Sequence, residues 1–531
     1  MGFQTMRDFQ LPGRSPVYAR NGMCATSHPL ASKTAIQILE AGGNAVDAAI
    51  AAAVLLGICE PAMTGIGGDC FVLLKPRDED RIVALNGSGR APMGLSAEKL
   101  RDQGHATVPE RGPHSVTIPG AIDAFCRLSR DWGKLGLKAV LAPAIHYAKS
   151  GVPVGPRTAF DWARSGVHLT GDARGYFLNN DKPLTTGQVF SHPKQAEVLR
   201  RIALDGRAGF YEGEVAEDMV ASLKAQGGTH SLEDFAKTAC EYTEPVQGEY
   251  KGMGLVEHPP NGQGATAILM NNILSHFDVA ALDPFGSARA HLEAEAGKLA
   301  YDARNRFIAD PRRTTRLGHM LAAETAAKLA AMIDMKRAME NPSKLTESVH
   351  KDTVYITVVD KDLMAVSLIY SIYSGFGSGL ASSKFGINFQ NRGSGFTLTK
   401  DHPNEATGGQ RPMHTIIPGM LKKNGRVIMP FGVMGGAYQP TGHSRVLTNM
   451  VDFGMDPQRA IDAPRSFSDE GNMQVERGYS DAVHQELVDM GHKVSIPHVP
   501  LGGGQAILIN YETGVLEGAS DPRKDGCALG Y

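Results

Sequence analysis

Thr353 heads an apolar run, Asp352-Thr353-Val354-Tyr355-Ile356-Thr357-Val358-Val359-Asp360, and Ser371 closes a second, Ala365 to Ser371. Asp360-Lys361-Asp362 lies at the junction. β-Branched and aromatic residues recur in both runs, so the reading is two antiparallel strands joined by a tight turn. The polar stretch before them, 341–351, reads as a flexible surface approach that delivers a hydroxyl to a sheet edge. Cutting the Asp352–Thr353 bond would give Thr353 an α-amino group beside its own hydroxyl, a base next to a nucleophile. That amine has a reference pKa of about 7.7–8.0, suited to accepting the hydroxyl proton without a histidine. Without cleavage, a threonine at a strand start is ordinary β structure.

Other residue types fit acyl chemistry around that hydroxyl. Ser371, on the partner strand, is placed to hydrogen-bond it. Gly435-Gly436 follows a strand expected over 426–433. Two successive backbone N–H groups there can face an oxyanion, or the pair can simply make a turn. Arg90 lies in the open loop Asn86-Gly87-Ser88-Gly89-Arg90-Ala91-Pro92. Its guanidinium can grip a carboxylate bidentately or can be a solvated loop charge. The glycine cluster Gly65-Ile66-Gly67-Gly68 precedes a strand instead of following one, which argues for close backbone packing over phosphate binding.

The elements that position these residues follow from pattern. Residues 31–58 read as two helices broken at Gly42-Gly43-Asn44, with Ser32 as a cap on the first and the alanine-rich second one sandwiched. Further helices are expected within 114–202 and over 215–226, 291–310, 321–338, 444–453 and 457–461. Strands are expected at 70–74, 81–85, 254–257, 413–422 and 504–510, and 386–395 reads as a strand running into a glycine-rich turn. Glu293, Lys298, Asp302, Arg304 and Arg306 share helical spacing and read as a solvated or subunit-facing ionic surface. Two packed sheets covered by helices on both sides, an αββα layering of the α+β class, accommodate these elements.

Composition narrows the function classes. The 531 residues carry 54 basic and 56 acidic side chains, net −2, which gives no general attraction for nucleic acid or an anionic membrane. The six cysteines are scattered singly, so buried free thiols are expected and no zinc or redox pair is signalled. Met1 to Asp8 is not followed by an apolar leader core, so the chain reads as cytoplasmic.

The motif order resembles the γ-glutamyltransferase family of N-terminal-nucleophile hydrolases. The likeness is carried by Thr353 to Asp360, Phe376-Gly377-Ser378-Gly379 and Gly435-Gly436. It extends to Glu60-Pro61 with Gly65 to Gly68, Pro119-Gly120, Gly209 to Gly213, Pro259-Pro260, Asp310-Pro311 and Asp462-Ala463-Pro464-Arg465. The resemblance implies a proenzyme that cleaves itself between Asp352 and Thr353. It divides the chain into a large segment, 1–352, and a small catalytic segment, 353–531, which stay associated in one body, with pairing of two such units left open. It makes Thr353 the nucleophile, Ser371 its hydrogen-bond partner and Gly435-Gly436 the oxyanion donors. It calls for no metal and no organic cofactor.

The pocket departs from the glutamyl-specific pattern. The aspartate that holds a substrate α-amine aligns with Gly395, and two carboxylate-binding serines align with His414 and Thr415. A hydrogen-bonding asparagine aligns with Tyr373, and the carboxylate-binding arginine with Ser88. Losing the carboxylate leaves a substrate ammonium without a counter-charge, which is costly once desolvated. Arg90, Tyr373, Arg392, His414 and Thr415 instead suit a small anionic acyl group without an α-amine, although His414 can equally be a satisfied interior histidine. His414-Thr415-Ile416-Ile417-Pro418 resembles the branch of oxamate amidohydrolases and cephalosporin acylases. The expected activity is hydrolysis of an oxamate-like amide. A γ-glutamyltransferase or glutathione hydrolase, and a processing-dead binding or assembly relative, are the alternatives.

Overall fold

The computed structural model describes residues 10, 13–340, 352–469 and 471–531. Two seven-stranded antiparallel sheets form its centre. The first runs, in spatial order, Cys527–Gly530, Gly22–Thr26, Asp352–Asp360, Ala365–Tyr373, Asp69–Lys75, Val83–Gly87 and Glu241–Thr243. The second runs Val17–Ala19, Val515–Ser520, Gly503–Asn510, Arg426–Met434, Gly419–Lys423, Met253–Glu257 and Val246–Tyr250. Each sheet takes strands from both sides of Thr353.

The run Asp352–Asp360 is a strand, buried on both faces from Thr353 onward, which is why it reads as continuous rather than alternating. Val354, Ile356 and Val358 point to one side, into a core shared with the helix Ala45–Cys59. Val359 points to the other, where it meets Met420, Val427 and Ile507 of the facing sheet. The helix Ala45–Cys59 is buried along its whole length, and its alanines allow close approach to the sheet. Asn44 caps it in a reciprocal capping box with Asp47, turning the expected break at residues 42–44 into the start of the next element. Helices Gly264–Leu274, Ser287–Phe307 and Gln439–Val451 cover the opposite sheet. The result is the expected four-layer αββα sandwich.

Several expectations change. The polar approach expected over 341–351 lies outside the described residues. His28, not Ser32, caps the helix Pro29–Glu40; Ser32 is buried within it and donates to the Cys527 carbonyl at 2.8 Å. In residues 386–395 the expected strand is reduced to an isolated bridge at Asn388, while the glycine-rich turn is present as the short 3-10 segment Arg392–Gly395. The strand expected over 413–422 is confined to Gly419–Lys423, with His414 in an isolated bridge to Gly262. The expected helix 321–338 is two short pieces, Leu317–Leu321 and Ala323–Ala330. The ionic helix is not a solvated surface: Glu293, Lys298 and Arg304 are buried, and Glu293 is gripped by Arg289 and Arg445. Only its Asp302–Arg306 edge faces outward. The six cysteines are free thiols as expected, but only four are buried; Cys126 and Cys527 are half-buried.

Candidate active site

Thr353 lies one residue into its strand and is 2% exposed. Asp352 pairs with Tyr373 but Val354 pairs with Tyr370, so the partner strand carries one extra residue opposite Thr353. Such a bulge re-aims local side chains. Here Tyr373 sits at φ +81°, a strained conformation for an aromatic residue. The Thr353 hydroxyl donates to Ser371 Oγ at 3.3 Å. Ser371 Oγ also accepts the Tyr373 N–H at 2.8 Å and a longer contact from Arg392 Nη2 at 3.5 Å. Three donors therefore converge on one oxygen beside the threonine.

Arg392 is fully buried in the turn Arg392–Gly395. Its Nη1 donates to Thr415 Oγ1 at 2.8 Å, and its guanidinium carbon lies 3.8 Å from the centre of the Tyr373 ring. Stacking and a hydroxyl acceptor hold the planar fork in one orientation, as a lysine could not be held. Thr353, Ser371, Tyr373, Arg392 and Thr415 are thus one contact cluster.

His414 is one step removed. Its Nδ1 accepts from the Ile416 N–H at 3.4 Å, which puts the ring proton on Nε2, 3.2 Å from Asp69 Oδ2. Burial, reinforced by the field of Arg392, drives its pKa well below the ordinary histidine range, so the pair is a neutral imidazole donating to a carboxyl group. Both ring nitrogens are engaged inside the protein. Asp69 in turn accepts from the N–H groups of Gly89 and Gly120 and from Gln390 Nε2 through Oδ1. Burial raises its pKa to about 6 despite those donors and Arg392.

Arg90 faces elsewhere. Its guanidinium bonds Asp310 at 3.2 Å and Glu241 at 2.7 Å and is 27% exposed. Those acids are shared with Arg312 and Arg411 in an ion network that ties the loop 88–90 to Asp310. The structure brings Arg90 to that network and not into contact with the threonine cluster.

Gly435 and Gly436 follow the strand Arg426–Met434 with φ of +117° and +56°. A Cβ on Gly435 would lie 2.8 Å from Gly502 Cα, so the position needs glycine for both conformation and space. Met434, just before the pair, packs with Tyr355 and Ile369. Tyr355 shares a strand face with Thr353. This sets the double-glycine turn at the same end of the sandwich as the threonine. Gln263 then locks it: Nε2 donates to the Gly436 carbonyl at 3.0 Å and to the Thr415 carbonyl at 2.6 Å, while Oε1 accepts Arg304 Nη1 at 2.8 Å.

Asp69 and Gln263 are not legible as site residues in the sequence, and Arg304, expected on an ionic surface, instead supports the site through Gln263. Asp69 offered one signal, a carboxylate placed where a glycine cluster enters an apolar strand. Gln263 follows Pro259-Pro260-Asn261-Gly262 but has no local pattern that points to residues 415 and 436, over 150 positions away.

The comparisons agree with this architecture. A family model described as Gamma-glutamyltranspeptidase matches residues 31–531. The glutathione hydrolase-like YwrD proenzyme of Bacillus subtilis (strain 168) is 34% identical over 520 residues, covering 96% of this chain and 98% of that protein. The oxamate amidohydrolase proenzyme of Klebsiella pneumoniae is 32% identical over 535 residues, again 96% of this chain and 98% of that protein. Among solved structures, a cephalosporin acylase from Bacillus halodurans superposes with a TM-score of 0.91 at 38% identity, covering 100% of this chain and 99% of that one. With the two-sheet sandwich and the hydroxyl cluster at the head of its central strand, these matches place the chain in the γ-glutamyltranspeptidase family, as an amide-cleaving enzyme of the N-terminal-nucleophile hydrolase class.

Proposed function

We propose that the chain cuts itself between Asp352 and Thr353 and that Thr353 then hydrolyses the amide of a small anionic acyl group, oxamate-like in having a carboxylate near the scissile carbonyl. One observation carries the specificity: the buried Arg392 guanidinium, held by Thr415 and Tyr373, reaches the Ser371 oxygen that also accepts the Thr353 hydroxyl. A fixed guanidinium is the natural partner of a carboxylate. Gly395 offers no side chain to pair with a substrate ammonium. The names of two relatives, an oxamate amidohydrolase and a cephalosporin acylase, point the same way.

In the intact chain the Thr353 hydroxyl attacks the Asp352 carbonyl, its proton passes to the Thr353 nitrogen as the C–N bond breaks, and the acyl segment 1–352 is carried as an ester on Oγ. Water hydrolyses that ester and leaves Thr353 with a free α-amine. In turnover the amine takes the Oγ proton as Oγ adds to the substrate carbonyl, then returns it to the departing nitrogen. Gly435 and Gly436 supply N–H donors for the oxyanion, and Ser371 fixes the Oγ position. Water releases the acid from the ester. Arg90 organises the loop 88–90 through Asp310 and Glu241, and His414 acts on the pocket through Asp69.

The segments 1–352 and 353–531 stay together after scission. Asp352–Asp360 is flanked by Gly22–Thr26, and Ala365–Tyr373 by Asp69–Lys75, so separation would tear both ladders. Among the described residues no helix is long and apolar enough to cross a membrane.

The test is a panel of oxamate, a glutaryl amide and a γ-glutamyl anilide, read by release of ammonia or aniline. Turnover of the first or second and not the third is expected. Preferred γ-glutamyl turnover would instead favour the glutathione-hydrolase reading suggested by the relative from Bacillus subtilis. A single full-length band in active protein would exclude self-cleavage.

A further inference from the structure

His291 and Glu295 lie one turn apart on the helix Ser287–Phe307, and His492 reaches them from the turn after Asp481–Asp489. All three are buried, with ligand atoms within 4.8 Å of one another. His291 Nδ1 is 2.7 Å from His492 Nε2, and His291 Nε2 is 2.8 Å from the Asp334 carbonyl. A carbonyl only accepts, so His291 Nε2 carries a proton, and in the imidazole tautomer this fixes, the Nδ1 lone pair faces His492. This is the arrangement of a metal-bound imidazole, whose far N–H is pinned by a backbone carbonyl.

We propose that His291, Glu295 and His492 form a site for one divalent transition-metal ion of the zinc class, clamping residues 334–340 against the helix Ser287–Phe307. Two imidazoles and one carboxylate are borderline-soft donors that favour zinc or cobalt over magnesium or calcium. Nitrogen–metal bonds of about 2.0–2.1 Å in a tetrahedral set require the two nitrogens to open to roughly 3.3 Å. His492 must also move its proton to Nδ1. Both adjustments are small because a cavity of about 280 Å³, lined by His492, Lys298, Met339, Glu340 and Ser468, adjoins the cluster. That space also admits a water as fourth ligand.

Lys298 now supplies the counter-charge. Its Nζ bonds Glu295 Oε1 at 2.7 Å and the Met339 carbonyl at 2.8 Å, while Glu295 Oε2 accepts the Met339 N–H at 2.8 Å. A bound dication takes over that neutralising role and the ammonium swings into the cavity. Lys298 is therefore a competitor of the ion, and its removal should tighten binding. The site shares no residue with the Thr353 cluster, so it stands or falls independently of the proposed reaction.

The experiment uses the full chain, stripped with chelator and titrated with Co2+ near neutral pH. One equivalent should bind with the strong visible absorption of a tetrahedral cobalt centre, and Zn2+ should bleach it. His492→Phe and Glu295→Gln should each weaken binding by at least about tenfold. Lys298→Met, which removes a charge without removing a ligand, should strengthen it by about tenfold. No saturable cobalt band in the wild-type chain, or a band unaltered by His492→Phe, would overturn the proposal. So would unchanged or weaker cobalt binding in Lys298→Met.

Discussion

Gln263 Nε2 donates to the carbonyl of Gly436 at 3.0 Å, so one side-chain amide sets where the double-glycine turn sits. The same nitrogen also holds the Thr415 carbonyl. If Gly435 and Gly436 are the oxyanion donors proposed above, Gln263→Ala should lower kcat far more than it raises KM, by about 100-fold, because a displaced donor is felt only in the transition state. Gln263→Glu keeps the shape but offers an acceptor to two carbonyls, and it should be no better. Steady-state kinetics on the preferred amide decides this.

Thr353→Ala should remain a single chain on a denaturing gel. Thr353→Ser should still split, since it keeps the hydroxyl. Splitting of the alanine variant at the same bond would move the nucleophile elsewhere.

Ser371→Ala removes the oxygen on which Thr353, Tyr373 and Arg392 converge. Self-cleavage should slow by about tenfold or more, followed as band intensity against time, because the Thr353 hydroxyl loses its partner. Ser371→Thr keeps the oxygen and should cleave near the wild-type rate.

Arg392→Lys retains charge but loses the planar fork and the stacking on Tyr373. A charge-assisted hydrogen bond is worth about 1.5–3 kcal/mol, so kcat/KM for an anionic acyl amide should fall by about 10- to 150-fold. A neutral acyl amide should lose much less. Equal losses on both would remove Arg392 from carboxylate recognition.

Asp69 makes a pH-dependent contribution with a definite sign. Its folded pKa is raised from 3.8 to about 6, so the folded state holds the proton more tightly than the unfolded chain. The associated stability is fully present below about pH 4 and is lost as pH rises through about 6, amounting to about 3 kcal/mol. Glu60, raised to about 7 chiefly by burial, acts in the same direction. Asp69→Asn should flatten the fall in stability between pH 4 and 6, measured by denaturant titration against wild type. A wild-type difference that persists unchanged in the variant would assign it to other groups.

The amino-acid order by itself determined the central hairpin, the buried alanine helix, the αββα layering and the nucleophile candidate. Each rests on local information: β-branched runs around a tight turn, an apolar helix without a polar face, and motifs in register along one chain. Flanking strands such as Gly22–Thr26 and Cys527–Gly530 escaped notice because five- and four-residue segments with small side chains carry too little periodic signal. The tertiary structure alone decided which polar residues meet. Arg90 and Arg392 look equivalent as loop arginines beside glycines, yet Asp310 and Glu241 draw the first aside while Tyr373 and Thr415 hold the second within reach of Ser371. Asp69 finds His414 across 345 positions, and His291 finds His492 across 201. Side-chain pairing at such separations depends on how sheets stack and helices dock, and no spacing along the chain encodes it.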